Sequence, residues 1–198
     1  EEVNDFDFRP DIKYIISVGR LVHLKRIDLI IKALKILIDK DYKVNLIIIG
    51  EGPEEDNLRL LVVNLNLLDY VHFLGRKEKP FKYMANSTAL VLSSESEGMG
   101  NVLIEALASS CPTISSDCNN GPREILAPDS DLQYRLLSGI EIGKYGILFS
   151  EGSIEALVEA LDFLLLNSER YIYYKNQSIN RANAFNKKEI IQNFINLC

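Results

Sequence analysis

Ser94-Glu95-Ser96-Glu97-Gly98-Met99-Gly100-Asn101-Val102-Leu103-Ile104-Glu105-Ala106-Leu107-Ala108 is the stretch that decides how this chain is read. It leaves an apolar run, Ala89-Leu90-Val91-Leu92, turns through two glycines and enters a segment that is apolar on nearly every side except at Glu105. Strand, turn and helix in that order make an anion site. The glycines admit a ligand close to backbone N–H groups, and the start of the helix adds unpaired donors and the positive end of its dipole. Glu97 falls in the turn, and Glu105 falls roughly 7–8 Å along the helix. A nucleotide diphosphate sugar has that reach: one carboxylate accepts from sugar hydroxyls, the other from ribose hydroxyls, and the diphosphate lies on the amides between. Taken alone, the stretch also fits a buried helix whose one Glu points to solvent and whose glycines only make the turn.

Outward from that stretch the chain alternates. Tyr14-Ile15-Ile16-Ser17-Val18 reads as a buried strand, followed by Gly19-Arg20 and a helix over about 25–38 with Ile27, Ile30, Ile31, Leu34 and Leu37 on one face. Val44-Asn45-Leu46-Ile47-Ile48-Ile49 is the second strand, and Gly50-Glu51-Gly52-Pro53 turns into a helix over about 54–66. Val71-His72-Phe73-Leu74 is the third, ending at Gly75-Arg76-Lys77; a short helix over 80–86 leads back to Ala89. Pro112-Thr113-Ile114-Ser115-Ser116 and Gly146-Ile147-Leu148-Phe149 are later strands, each followed by a helix, and 128–143 reads as polar, irregular and mobile. The tail over 171–198 reads as helical, with Phe185, Ile190, Ile191, Phe194 and Ile195 as an apolar stripe.

About six strands alternating with helices predict an α/β fold, a Rossmann-like, right-handed, doubly wound parallel sheet. Ligands of such sheets sit outside the carboxyl ends of the strands, where Arg20 and Lys25 fall. Two cations there can hold a diphosphate, or they are two solvated loop charges. His23 reads as a loop residue and His72 as a strand histidine with a hydrogen-bond partner. Gly50 and Gly52 lack the third glycine of a dinucleotide fingerprint and precede Pro53, which disfavours an NAD-dependent oxidoreductase.

Composition narrows the class. A chain of 198 residues, 47% hydrophobic, buries one good-sized core. Residues 1–11 read as a linker or tail ahead of one domain over 12–198, and a start at Glu-Glu with no initiator Met reads as a piece of a longer protein. A net charge of −6 argues against a nucleic-acid surface and against docking of this piece on anionic lipid. Cys111, Cys118 and Cys198 lack metal-ligand spacing and are odd in number, which fits a reduced, cytosolic setting. No run approaches the roughly 20 apolar residues of a membrane span. Asp5-Phe6-Asp7 precedes the first strand and Asp129-Ser130-Asp131 lies in a loop, so neither is read as a metal site.

Five ordered motifs together carry a family resemblance. They are Gly19-Arg20 with Lys25, Gly50-Glu51-Gly52-Pro53, Phe73-Leu74-Gly75, the run from Glu97-Gly98-Met99-Gly100-Asn101 to Glu105-Ala106, and Gly121-Pro122-Arg123-Glu124-Ile125. From about residue 12 onward the chain resembles the retaining glycosyltransferases of family four, and more narrowly the donor-binding C-terminal lobe of their GT-B fold. Glu97 and Glu105 stand at the spacing of that family's paired-glutamate motif. The resemblance implies a catalytic set of Arg20, Lys25 and Glu97, in which the two cations bind the donor diphosphate and Glu97 contacts the transferred sugar. It implies that Gly19, Gly98, Met99, Gly100, Asn101 and Val102 hold sugar and phosphate, that Glu105 binds ribose, and that the base lies against Phe73, Leu74, Arg76 and Lys77.

It further implies no metal cofactor, a nucleotide diphosphate sugar as substrate, and an acceptor-binding N-terminal lobe outside this chain. That lobe would take a glycan or lipid-linked acceptor and would carry any peripheral contact with the inner face of a membrane. The run from Asn120 to Glu124 resembles forms in capsule and lipopolysaccharide enzymes, so the expected product is a bacterial surface polysaccharide built from a UDP-sugar. Met99 stands where an aromatic is commoner, and Asn101 where the family often has an apolar residue. A nucleotide-sugar binding module without catalysis fits the same residues.

Overall fold

The computed structural model describes residues 6–185. Strand β1 is Lys13–Val18, and a 3-10 turn, His23–Lys25, precedes helix α1, Ile27–Asp39. They are followed by β2 (Val44–Ile49), α2 (Glu55–Asn64), β3 (Val71–Phe73), α3 (Phe81–Ala85), β4 (Ala89–Leu92), α4 (Asn101–Ala108), β5 (Thr113–Ser116) and α5 (Pro122–Leu126). The chain then forms β6 (Ile140–Ile142), β7 (Ile147–Phe149), α6 (Ile154–Leu166) and α7 (Ser168–Asn183). Of the apolar stripe expected in the tail, Phe185 is described, while Ile190, Ile191, Phe194, Ile195 and Cys198 lie outside the described residues.

The strands form one sheet in the order β3-β2-β1-β4-β5-β7-β6, parallel throughout except for the β6–β7 pair. Every residue of β2 is buried, because helices cover both faces and alternate side chains enter opposite cores. Ile15, Leu46, Ile48 and Val91 meet α1 and α6 on one side, and Ile16, Ile47, Leu90 and Leu92 meet α3, α4 and α5 on the other. The doubly wound α/β class holds.

Two segments differ from the sequence-based expectation. Residues 6–11 do not hang free of the domain: Phe6 and Phe8 stack edge-to-face on Tyr14, with ring centroids 5.6 and 5.0 Å away, and Phe6 also meets His72. His72 itself faces Asn45 Nδ2 at 2.9 Å, and burial lowers its pKa, so the neutral ring accepts that bond. The stretch 128–143 supplies the antiparallel edge strand β6 and is tied down by long-range polar contacts that local patterning does not reveal.

The chain winds outward from β1 through β2 to β3, then returns to place β4 on the other side of β1. The topological switch point therefore lies between β1 and β4, and the loops leaving their carboxyl ends face each other there. The glycine pair after β2 serves this edge. A Cβ on Gly50 would lie 1.8 Å from the Gly19 carbonyl oxygen, and one on Gly52 would lie 2.3 Å from that of Leu21. Close backbone packing against the loop after β1, and not dinucleotide binding, is what those two glycines satisfy.

Gly50→Ala combines that clash with a φ of +140°. The expected cost is roughly 2–4 kcal/mol, seen as a lower urea midpoint with an unchanged slope.

Candidate functional site

The loops at the switch point are bound to each other by four contacts. Ser93 Oγ donates to the carbonyls of Lys25 and Arg26, 2.8 Å each, and the Glu95 amide donates to Leu24 O at 3.0 Å. Arg26, in a left-handed conformation with φ 47°, donates from Nη1 to Glu95 Oε1 at 2.8 Å. With the loops so fixed, Lys25 Nζ reaches Glu97 Oε1 at 2.6 Å, and Ser94 Oγ donates to the same oxygen at 2.5 Å. Gly19 adjoins this pair: a Cβ there would lie 4.0 Å from Lys25 Cε.

Two cavities are lined by residues of these loops, one including Gly19 and the other Gly98, though neither lining includes Lys25 or Glu97 themselves. One, of about 450 Å³, is lined by Gly19, Arg20, Glu51, Arg76 and Lys77 among others, so Arg20 of the expected diphosphate cations shares a hollow with two of the expected base-binding residues. The other, of about 800 Å³, includes Gly98, Met99, Asn101, Glu105, Asn120 and Glu124 in its wall. Gly100, at φ +70°, caps α4 without any side-chain acceptor. By contrast, Ser153 caps α6 by accepting from the Ala156 amide, and Asn167 caps α7 by accepting from the Arg170 amide. The Leu103 amide turns back to Gly100 O at 2.8 Å, so among the described residues it is the Asn101 and Val102 amides that are left to a ligand or to water.

Glu105 is half-buried and, among the described residues, its carboxylate has no hydrogen-bond or ion-pair partner. Burial pushes its pKa up, the opposite of a salt-bridged acid. Val102 is partly buried against the second core. Phe73 and Leu74 point to opposite faces: Phe73 packs on the first core with Arg59 Cζ 4.3 Å from its ring centroid, and Leu74 packs on the second. Neither is among the residues lining the cavity that holds Arg76 and Lys77.

Sequence reasoning missed Ser94, although it sits inside the quoted stretch, since a serine reveals its acceptor only in three dimensions. It also missed Asp117, whose buried carboxylate meets Arg123 of the Gly-Pro-Arg-Glu-Ile run. Of the two Asp-x-Asp candidates, the one at Asp129-Ser130-Asp131 is engaged otherwise. Asp129 pairs with Lys144 and Asp131 accepts from the Gln133 amide, while Asp5 lies outside the described residues. Cys111 and Cys118 are buried free thiols, with pKa values pushed up by burial to about 12 and about 11.

Comparison with known proteins gives the family and the fold. The family described as "Glycosyl transferases group 1" matches residues 1–181, and the chain belongs to it. It is 38% identical over 147 residues, 74% of its length, to an uncharacterized glycosyltransferase of Methanocaldococcus jannaschii. It is 35% identical over 178 residues, 90% of its length, to the Campylobacter jejuni N-acetylgalactosamine-N,N'-diacetylbacillosaminyl-diphospho-undecaprenol 4-alpha-N-acetylgalactosaminyltransferase. The chain spans 36% and 44% of these two relatives. Among solved structures, the apo form of the lipopolysaccharide outer core galactosyltransferase WaaB superposes with a TM-score of 0.75 at 26% identity, over 95% of this chain and 49% of that one. These matches place the chain in one Rossmann-like lobe of the GT-B fold.

Glu105, unpartnered among the described residues, gives a pH signature. Its raised pKa means that the folded state binds the proton more tightly than the unfolded chain, so ionisation at neutral pH costs stability. Glu105→Gln is expected to melt about 1–2 °C above the parent at pH 7. The gain should vanish below the usual carboxylate range, where both forms are neutral; calorimetric melts from pH 3 to 8 check it.

Proposed function

We propose that this chain is the donor-binding half of a retaining glycosyltransferase that moves a hexose or N-acetylhexosamine from a UDP-sugar to a growing surface glycan. The observation that carries the proposal is the Lys25–Glu97 pair at the switch point, close in sequence to the start of α4, which no side chain caps. In this reading Lys25 exchanges one anion for another: donor phosphate oxygens replace the Glu97 carboxylate, which is released toward the sugar. Arg20 approaches the same diphosphate from the smaller cavity, and the α4 amides take its remaining oxygens. Glu105 accepts from the ribose diol, which supplies the hydrogen bonds its half-buried carboxylate lacks.

The chemistry follows from where charge develops. As the bond from the anomeric carbon to phosphate oxygen breaks, negative charge grows on the leaving diphosphate, and groups already oriented toward it favour the transition state over the bound donor. Two cations and a helix terminus supply the charge that a divalent metal would, so transfer is expected without one. The glycan acceptor would bind a part of the protein outside this chain. The Campylobacter relative's name, an alpha-N-acetylgalactosaminyltransferase acting on a diphospho-undecaprenol glycan, supports this class of donor sugar and acceptor. Among the described residues no helix is long and apolar enough to cross a membrane, and the proposed setting is the cytoplasmic side, against the inner face.

Isothermal titration with UDP and UDP-sugars tests the site. Arg20→Ala, Lys25→Ala and Glu105→Ala are each expected to weaken binding about tenfold, or about 1.4 kcal/mol, while NAD gives no heat. Unchanged affinity in all three variants would sink the assignment. In the full-length protein, donor binding without transfer to any glycan would favour a binding module over an enzyme.

A further inference from the structure

Behind the donor turn lies a buried polar cluster that the proposed chemistry does not use. Arg123 and Asp117 are 3% and 2% exposed. Arg123 grips Asp117 with both arms, Nε to Oδ1 at 3.0 Å and Nη2 to Oδ2 at 2.7 Å. Its remaining nitrogen donates to Ser130 Oγ at 2.9 Å and Glu141 Oε2 at 2.8 Å. Asp117 Oδ2 also accepts from the Leu136 amide at 2.7 Å.

The loop that leaves Asp117 touches the donor turn. Asn119 bridges Ser96 in parallel register, and its carbonyl accepts from the Glu97 amide at 3.4 Å. Gly121 passes so close that a Cβ on it would lie 2.4 Å from Met99 O. On the other flank, Ser116 Oγ donates to Ser94 O at 2.6 Å. The donor turn therefore leans on residues 116–121, and Arg123 holds that segment from behind.

We infer that Arg123 is a positioning residue for the donor site: by clamping Asp117 it fixes the loop over 117–121, and so sets where Glu97 and Met99 stand. The structural contact is independent of the proposed function, whereas its consequence for sugar binding rests on that reading. A bidentate guanidinium is required, because one ammonium cannot hold both Asp117 oxygens and still reach Ser130 and Glu141.

Hydrogen exchange read by mass spectrometry on this chain tests it without any ligand. Arg123→Gln is expected to speed exchange in peptides covering 94–101 about tenfold, while peptides of β1 and β2 stay protected; Arg123→Lys should recover part of the protection. Where Arg123→Gln unfolds the whole chain, Glu141→Gln, which removes one partly exposed contact, decides: about threefold faster exchange over 94–101 supports the inference. Exchange that rises only over 128–143, with 94–101 unchanged, overturns it. In parallel, UDP-sugar affinity should fall for Arg123→Gln in the same order as the exchange. A parent chain that binds no nucleotide would defeat the proposed function but leave the exchange result to judge the positioning role.

Discussion

The ion pair between Lys25 and Glu97 joins two loops that leave neighbouring strands at the one place where the sheet reverses its winding. Lys25 belongs to the turn after β1 and Glu97 to the turn after β4, 72 residues apart in sequence, and nothing local to either turn would bring them together. They meet because β1 and β4 pair side by side and because Ser93, Glu95 and Arg26 bind the loops to each other through backbone carbonyls and an ion pair. In the proposed reading, a donor anion entering here would find a cation already aimed, and sugar hydroxyls would satisfy the Glu97 carboxylate that it leaves.

Glycine usage at the same edge reflects that crowding. Gly50 and Gly52 lie against the loop after β1, and Gly121 lies against the turn at Met99, each where a side chain would meet a carbonyl oxygen. The three glycines let separate loops press together closely enough to share a site. Gly98 differs, since nothing lies within 4 Å of where its Cβ would be; its missing side chain leaves open space on the wall of the larger cavity. The same turn thus uses one glycine for conformation, at Gly100, and another for access.

Glu105 and the Asp117–Arg123 pair are two solutions to the problem of a carboxylate out of bulk water. Asp117 is deep and fully paired, so it is structural and acts on the site only through the loop it anchors. Glu105 is half-buried and unpaired among the described residues, and its pKa moves up accordingly. Ionised in a cavity wall, that carboxylate is a cost to the fold, and in the proposed reading a ribose diol would remove it.

By itself the sequence determined six of the seven strands, most of the helices, and the strand–turn–helix that opens α4. Each is written in local apolar periodicity and glycine placement, and the interactions concerned span only a few residues. The motif order also determined the family, because five spaced signatures do not recur together by chance. Only the tertiary structure decided that Phe73 turns onto the core under Arg59, that residues 6–11 lie against Tyr14 and His72, that 128–143 is clamped and adds an edge strand, and that Ser94 completes the Lys25–Glu97 pair. The physical reason is common to all four: each depends on which distant strand or helix lies alongside, and a polar side chain's partner, or the face a strand residue takes, is fixed only once the sheet has assembled.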